Sequence, residues 1–243
     1  LCDTDDLFIK ANFYSDRLIE NSVSGVIYVP TAASDEQNRN IVDKFYRKHI
    51  PVVLADRTIP GLEIDHVTTD NFQGGYEITR YLIEKGHRNI GIVFSSLFST
   101  ERLRYEGYKK ALTEYHIPID PSIIIIDNGP FIPNRYFQYA RDLLNQREKI
   151  TAVFAGHDRI ALLFYSAAKE LGLAIPEDIS IVGYDDLNFT TIKLTTMHQP
   201  IYEMGQESMR LIMSRIHEND RKAQHIELNS HLVERDSVRE ILK

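Results

Sequence analysis

Six short apolar runs punctuate the chain, at residues 26–29, 52–55, 90–94, 123–126, 152–155 and 179–182. Each is four or five residues long and apolar on both faces, the pattern of strands covered by helices on two sides. Between them the period becomes helical. Ser34 heads "SDEQ", a capping-box sequence that predicts a helix running toward Lys48. From Ile160, the positions Leu163, Phe164, Ala167, Ala168 and Leu171 recur at spacings of three and four, with Gly172 placed to end the helix. Ile201, Met204, Ser208, Leu211 and Ile212 form a second stripe. Strand and helix therefore alternate, which predicts a doubly wound α/β architecture. Edge strands are expected at 194–197 and 225–228, and the total fills either one wide sheet or two smaller ones.

Open parallel sheets place ligands at the carboxyl ends of their strands, so the residues that follow each run are the first candidates for chemistry. Asp56 and Arg57 follow "VVLA", Ser95 and Ser96 follow "IGIVF", and Asp127 follows "IIII". Gly156, His157 and Asp158 follow "AVFA", and Asp185 and Asp186 follow "SIVGY". Helix caps also put polar groups at strand ends, and on that reading Asp158 is an N-cap or first-turn residue and Asp186 a turn residue. The three carboxylates Asp158, Asp185 and Asp186 are equally a candidate Mg²⁺ set for phosphoryl transfer, although neighbours in sequence point in different directions. No phosphate-binding P-loop, GxGxxG, GxSxG or HExxH motif occurs. In "STERLRYEGYKKAL", Arg102 and Arg104 stand where a loop enters a helix whose apolar face is expected to use Leu103, Tyr108 and Leu112. Such an arginine can fork two hydrogen bonds to ligand oxygens, or pair at the surface with Glu101 or Glu106.

Composition narrows these readings. The chain has 243 residues with 28 Lys and Arg against 35 Asp and Glu, a formal net charge of −7, so it lacks the positive field that drives binding to a phosphate backbone. A single cysteine, Cys2, rules out a disulfide framework or a multi-cysteine zinc site and fits the cytoplasm. No apolar run reaches membrane-spanning length, and no partnership with a membrane is expected. The opening "LCDTDD" reads as the tail of a strand that begins upstream.

Five stretches occur in order: "TDNFQGGYEITRYLIEKGHRNIGIV" (69–93), "ERLRYEGYKKAL" (101–112), "ITAVFAGHD" (150–158), "ELGLAIPEDISIVGYDD" (170–186) and "LTTMHQPIYEMG" (194–205). Together they resemble the effector-binding domain of the LacI/GalR family of bacterial transcription regulators, over nearly the whole chain. The resemblance implies an α/β, periplasmic-binding-protein-like fold: two doubly wound parallel-sheet lobes joined by three crossovers and closing on a small ligand. Residues 1–68 plus 199–228 would form the first lobe, and residues 69–198 plus 229–243 the second. A first strand and helix, preceded by a DNA-binding headpiece, would lie upstream of Leu1.

Carried over by position, Arg104 matches the family's ligand-contacting arginine, with Arg102 as a second candidate. Asp185 matches the acid that accepts ligand hydroxyl or amino hydrogens, Asp56 a first-lobe contact, and Phe131 an aromatic set against the ligand. His157 stands where sugar-responsive members commonly have Asn, exchanging an amide for a larger, titratable ring. The segment "LNFTTIKLTT" is shorter than the family's usual loop. The function implied is a small-molecule sensor, most simply for a sugar or sugar derivative, acting as a cytoplasmic homodimer that meets operator DNA through its headpiece. No catalytic residue, metal or cofactor is expected. The alternatives are a transporter's solute-binding protein and the Mg²⁺-dependent sugar-phosphate enzyme.

Overall fold

The computed structural model describes residues 1–95, 98–146, 148–188, 192–218 and 220–241; Ser96 and residues 189–191 of "LNFTTIKLTT" lie outside these. The strands are β1 (Val26–Tyr28), β2 (Val52–Ala55), β3 (His66–Thr69), β4 (Ile90–Ser95), β5 (Ile124–Asp127), β6 (Ala152–Ala155), β7 (Ser180–Asp185), β8 (Thr195–His198), β9 (His225–Leu228) and β10 (His231–Val233). The helices are α1 (Phe8–Glu20), α2 (Asp35–Tyr46), α3 (Asn71–Glu84), α4 (Ser99–Glu114), α5 (Pro133–Leu144), α6 (Asp158–Glu170) and α7 (Ile201–His217).

Two compact units result. The first comprises Leu1–Thr69, residues 98–100 and Pro200–Asn229. Its sheet has the order β1-β2-β3-β9, parallel throughout, with Val26 opposite Val52, Leu54 opposite His66 and Val67 opposite Ile226. Alternation along β2 divides the core: Val52 and Leu54 pack with Ile41, Val42 and Phe45 of α2, while Val53 packs with Leu211 and Ile212 of α7. Ser34 caps α2 as its sequence requires, through a reciprocal capping box with Gln37.

The second unit comprises residues 70–95, Glu101–Gln199 and residues 230–241. Its sheet runs β10-β8-β7-β6-β4-β5, parallel except for β10 against β8. Val93, Val153 and Ile181 face α5 and α6, whereas Ile92, Phe154 and Tyr184 face α3 and α4. Burial on both faces explains why these strands read as unbroken apolar runs.

Four expectations need correction. β8 is not an edge strand, because β10 pairs along its outer side. The sequence reading also missed β3, since "HVTT" places one bulky apolar side chain between polar neighbours and its Thr residues look like loop. Leu103 is 44% and Ile201 58% exposed, so neither belongs to the buried stripe assigned to it. Ile201 is the first residue of α7, where the predicted stripe extends too far, and Leu103, five residues before Tyr108, lies about 140° round α4 from it.

Candidate functional site

Strands β7, β6, β4 and β5 lie side by side and parallel, so their carboxyl ends form one row in the second unit. Along that row stand Asp185, the turn Gly156–His157, Ser95 and Asp127. Arg104, on the second turn of α4, is 3% exposed and belongs to this row rather than to the surface. Its Nε donates to Asn71 Oδ1 at 2.8 Å, and one Nη donates to the Gly156 carbonyl at 2.7 Å. The guanidinium lies 3.6 Å from the centre of the Tyr184 ring, a cation–π contact that fixes its plane. Its other Nη is 3.6 Å from Asp185 Oδ1. That separation is beyond a hydrogen bond but leaves charge facing charge.

Asp185 ends β7 with φ 114°, a backbone conformation costly for any residue but glycine, and strain of this kind gathers at functional sites. Its Oδ1 also accepts from Gln199 Nε2 at 2.6 Å. A hydroxyl seated between Asp185 and Arg104 could donate to one and accept from the other, so the pair offers complementary partners for an alcohol group.

Helices α3 and α4 bring these groups together by close approach. A Cβ on Gly75 would fall 2.3 Å from the Arg104 carbonyl oxygen, and one on Gly107 would fall 2.1 Å from that of Phe72. Glu101, 2% exposed, accepts from the Ser95 amide at 2.8 Å instead of pairing with Arg104 at the surface. A Cβ on Gly156 would meet its carboxylate at 2.2 Å, so a side chain there would displace Glu101 from its present position.

The other carboxylates have structural partners. Asp158, the first residue of α6, accepts from the Leu187 amide at 2.8 Å and the Thr196 hydroxyl at 2.7 Å. Burial pushes its carboxyl up to about 7 against those two hydrogen bonds, with Asp185 and Asp186 adding to the rise. Asp186, at φ 58°, accepts from Arg235 at 2.6 Å and His198 Nδ1 at 3.0 Å. Burial alone would raise its pKa, but these two partners hold it below the ordinary carboxylate value. The candidate Mg²⁺ set is therefore committed to separate protein donors, and among the described residues no group of three acidic, His or Cys side chains is arranged for a metal.

His157 is the N-cap of α6, but its side chain makes no capping bond. Its ring meets Phe131 edge-on at 5.3 Å, while Tyr136 packs against Phe131 at 4.9 Å. Arg159 lies over the Phe131 ring, 4.9 Å from its centre. Arg102 is half-buried and lines a cavity of about 150 Å³ with Ser95, Glu101, Tyr105 and Ile126. Asp56 belongs to the first unit, just past β2, at φ 63°. Its carboxylate is 3.5 Å from Arg57 Nε, and the Arg57 guanidinium stacks 3.9 Å from the centre of the Phe98 ring.

The structure thus brings Arg104 and Asp185 together, and separately Phe131 and His157. Sequence reasoning missed Asn71, Tyr184, Gln199 and Arg159. Tyr184 adjoins a chosen carboxylate, and Asn71 and Gln199 lie inside quoted motifs, but spacing alone does not reveal that they converge on Arg104 and Asp185.

The fold is periplasmic-binding-protein-like, and comparison with known proteins agrees. Residues 79–238 match the periplasmic binding protein-like domain family. The HTH-type transcriptional repressor PurR of Photorhabdus laumondii is 36% identical over 243 residues, covering 98% of this chain and 70% of that protein. Among solved structures, a LacI family transcriptional regulator from Enterococcus faecium with bound ribose is 31% identical, with a TM-score of 0.82 over 94% of this chain and 84% of its own. The transcriptional regulator CelR in complex with cellobiose is 28% identical, with a TM-score of 0.81 over 94% of this chain and 70% of its own. The chain belongs to the LacI/GalR family of transcription regulators, as a ligand-sensing, effector-binding domain. These relatives are regulators rather than enzymes, and the enzyme and transporter-protein alternatives give way to a regulator.

Proposed function

We propose that the effector is a polyhydroxylated small molecule, a carbohydrate or a derivative of one, and that Arg104 and Asp185 hold it. The observation that carries this reading is the buried guanidinium facing a carboxylate on strained backbone, 3.6 Å apart. Phe131 and His157 form a second corner of the site, with Arg102 kept as a further contact on the resemblance. The ribose and cellobiose named with two relatives support the carbohydrate class. We read the two units as the two lobes of the sensor. Ligand binding changes DNA affinity because the effector's free energy differs between two states of the regulator. Operator DNA is met through a headpiece outside these residues, in the cytoplasm. A homodimer is supported by the outward stripe Ile201, Met209, Met213 and Ile216 of α7, each at least 38% exposed.

Calorimetry against ribose, cellobiose, glucose 6-phosphate and a purine tests the site. Arg104→Ala and Asp185→Ala should each weaken the bound member of that panel by roughly thirtyfold or more, since each leaves a buried charged partner unmatched. Undiminished affinity in both variants sinks the assignment, and binding of the purine alone removes the carbohydrate class.

A further inference from the structure

The resemblance sets an aromatic, Phe131, against the ligand. In the structure, however, the Arg159 guanidinium covers that ring, 4.9 Å from its centre. At that distance the guanidinium is within cation–π reach of the ring, an attraction that holds the charge at this corner while its five N–H groups remain the only hydrogen-bonding groups it carries. The group presented at this corner is then a cation backed by a ring, not an apolar plate.

Two features keep that charge available. Arg159 is exposed, and among the described residues no carboxylate or other hydrogen-bond acceptor engages it. The nearby Arg135 is already committed, with its guanidinium 2.7 Å from Asp127 Oδ2. His157, which meets the same Phe131 ring, adds a nitrogen-bearing group to the corner and no negative charge.

We propose that this corner selects an effector bearing an oxyanion, a phosphorylated or carboxylated sugar, and that Arg159 is the specificity-determining residue. The proposal rests on the effector site described above, in which Arg104 and Asp185 take the hydroxyl groups. Arg159 adds a forked donor for one acidic group of the same ligand. A partly exposed cation contributes modestly, so the preference is a matter of discrimination between similar ligands rather than of all-or-none binding.

Two measurements separate this inference from the effector reading. In the first, the Arg159 Nε–H resonance is followed by NMR while inorganic phosphate is titrated in. A saturable shift is expected, and phosphate-induced shifts in neighbouring amides should vanish in Arg159→Ala but survive in Arg104→Ala. No saturable shift, or shifts that persist in Arg159→Ala, overturns the proposal whatever the effector is. The second compares ribose with ribose 5-phosphate and galactose with galacturonate by calorimetry. The anionic member of a bound pair should bind about tenfold tighter, an advantage that shrinks with added salt. Arg159→Ala should erase that ratio by weakening the anionic member far more than the neutral one, and Arg159→Glu should invert it. Equal affinities within each pair in the native protein, or a ratio that survives in Arg159→Ala, count against Arg159. If the phosphate shift behaves as expected but no sugar of either kind binds, the carbohydrate reading fails and the anion corner stands.

Discussion

At the scale of single residues, Asp158 and Asp185 divide the labour of one strand-end cluster. Asp185 faces Arg104, while Asp158 fixes the segment after β7 through the Leu187 amide and ties it to β8 through Thr196. Asp158 is 1% exposed, and its carboxyl is raised from 3.8 to about 7. A raised carboxyl pKa means the native state holds a proton that the unfolded state has already lost. The group's contribution to stability therefore falls as pH rises from about 4 to about 7, then stays level. Asp158→Asn keeps the shape and can exchange the same bonds with Thr196 and Leu187, but removes the titration. Urea denaturation at pH 5 and pH 8 should show the native protein losing about 2–3 kcal/mol more than the variant across that interval. An identical pH dependence in the two proteins would mean that Asp158 is ionised in the fold.

At the scale of elements, the α3–α4 contact sets where Arg104 lies. Gly75 gives α4 backbone room to pass, since a Cβ there would fall 2.6 Å from Arg104 Cα and 2.3 Å from its carbonyl oxygen. Gly75→Ala improves helix propensity yet must push the two helices apart, and overpacking of this kind costs about 1–3 kcal/mol. Arg104 would then leave the Gly156 carbonyl and Asn71, so effector affinity should fall in a variant that touches no ligand. Thermal unfolding and calorimetry on the same sample check both parts; a stable variant with native affinity would show that the contact has slack. The pattern "QGG" was visible in the sequence, but nothing local says which helix those glycines admit.

At the scale of the whole molecule, Asp65 joins parts of the first unit that are far apart in the chain. Its side chain is fully buried and accepts from Arg215 Nε and an Arg221 Nη, each at 2.8 Å, and from the Gln224 amide at 2.7 Å. The start of β3 is thereby tied to the end of α7 and the start of β9. Burial works to raise the Asp65 pKa, but the bonds from Arg215, Arg221 and Gln224 outweigh it and hold the carboxyl below 3.8. Its contribution is thus present above the unfolded value and lost as pH falls through the folded one, opposite in sign to Asp158. Asp65→Asn leaves two largely buried guanidiniums without their counter-charge and should destabilise the unit by about 3–5 kcal/mol at pH 7. That penalty should shrink below pH 4 in acid-titrated denaturation curves, and a constant penalty down to pH 2 would refute the ion-pair account.

The sequence by itself determined the alternation of strand and helix, the capping of α2, the burial of the central strands and, through five ordered motifs, the family. Those features follow from local propensity and from side-chain period, which the chain carries residue by residue. It also singled out Arg104 and Asp185 as candidates. Periodicity left one sheet or two open, and the family resemblance implied two. The tertiary structure alone decided that β10 covers β8 and that "HVTT" becomes a strand between β2 and β9, because strand pairing depends on partners distant in sequence. It likewise decided that Asn71, Gly156 and Tyr184 hold one guanidinium, and that Arg159 covers the ring expected to face the ligand. Convergence of that kind is a property of packed elements, where a single Cβ at Gly75 or Gly156 would change the outcome.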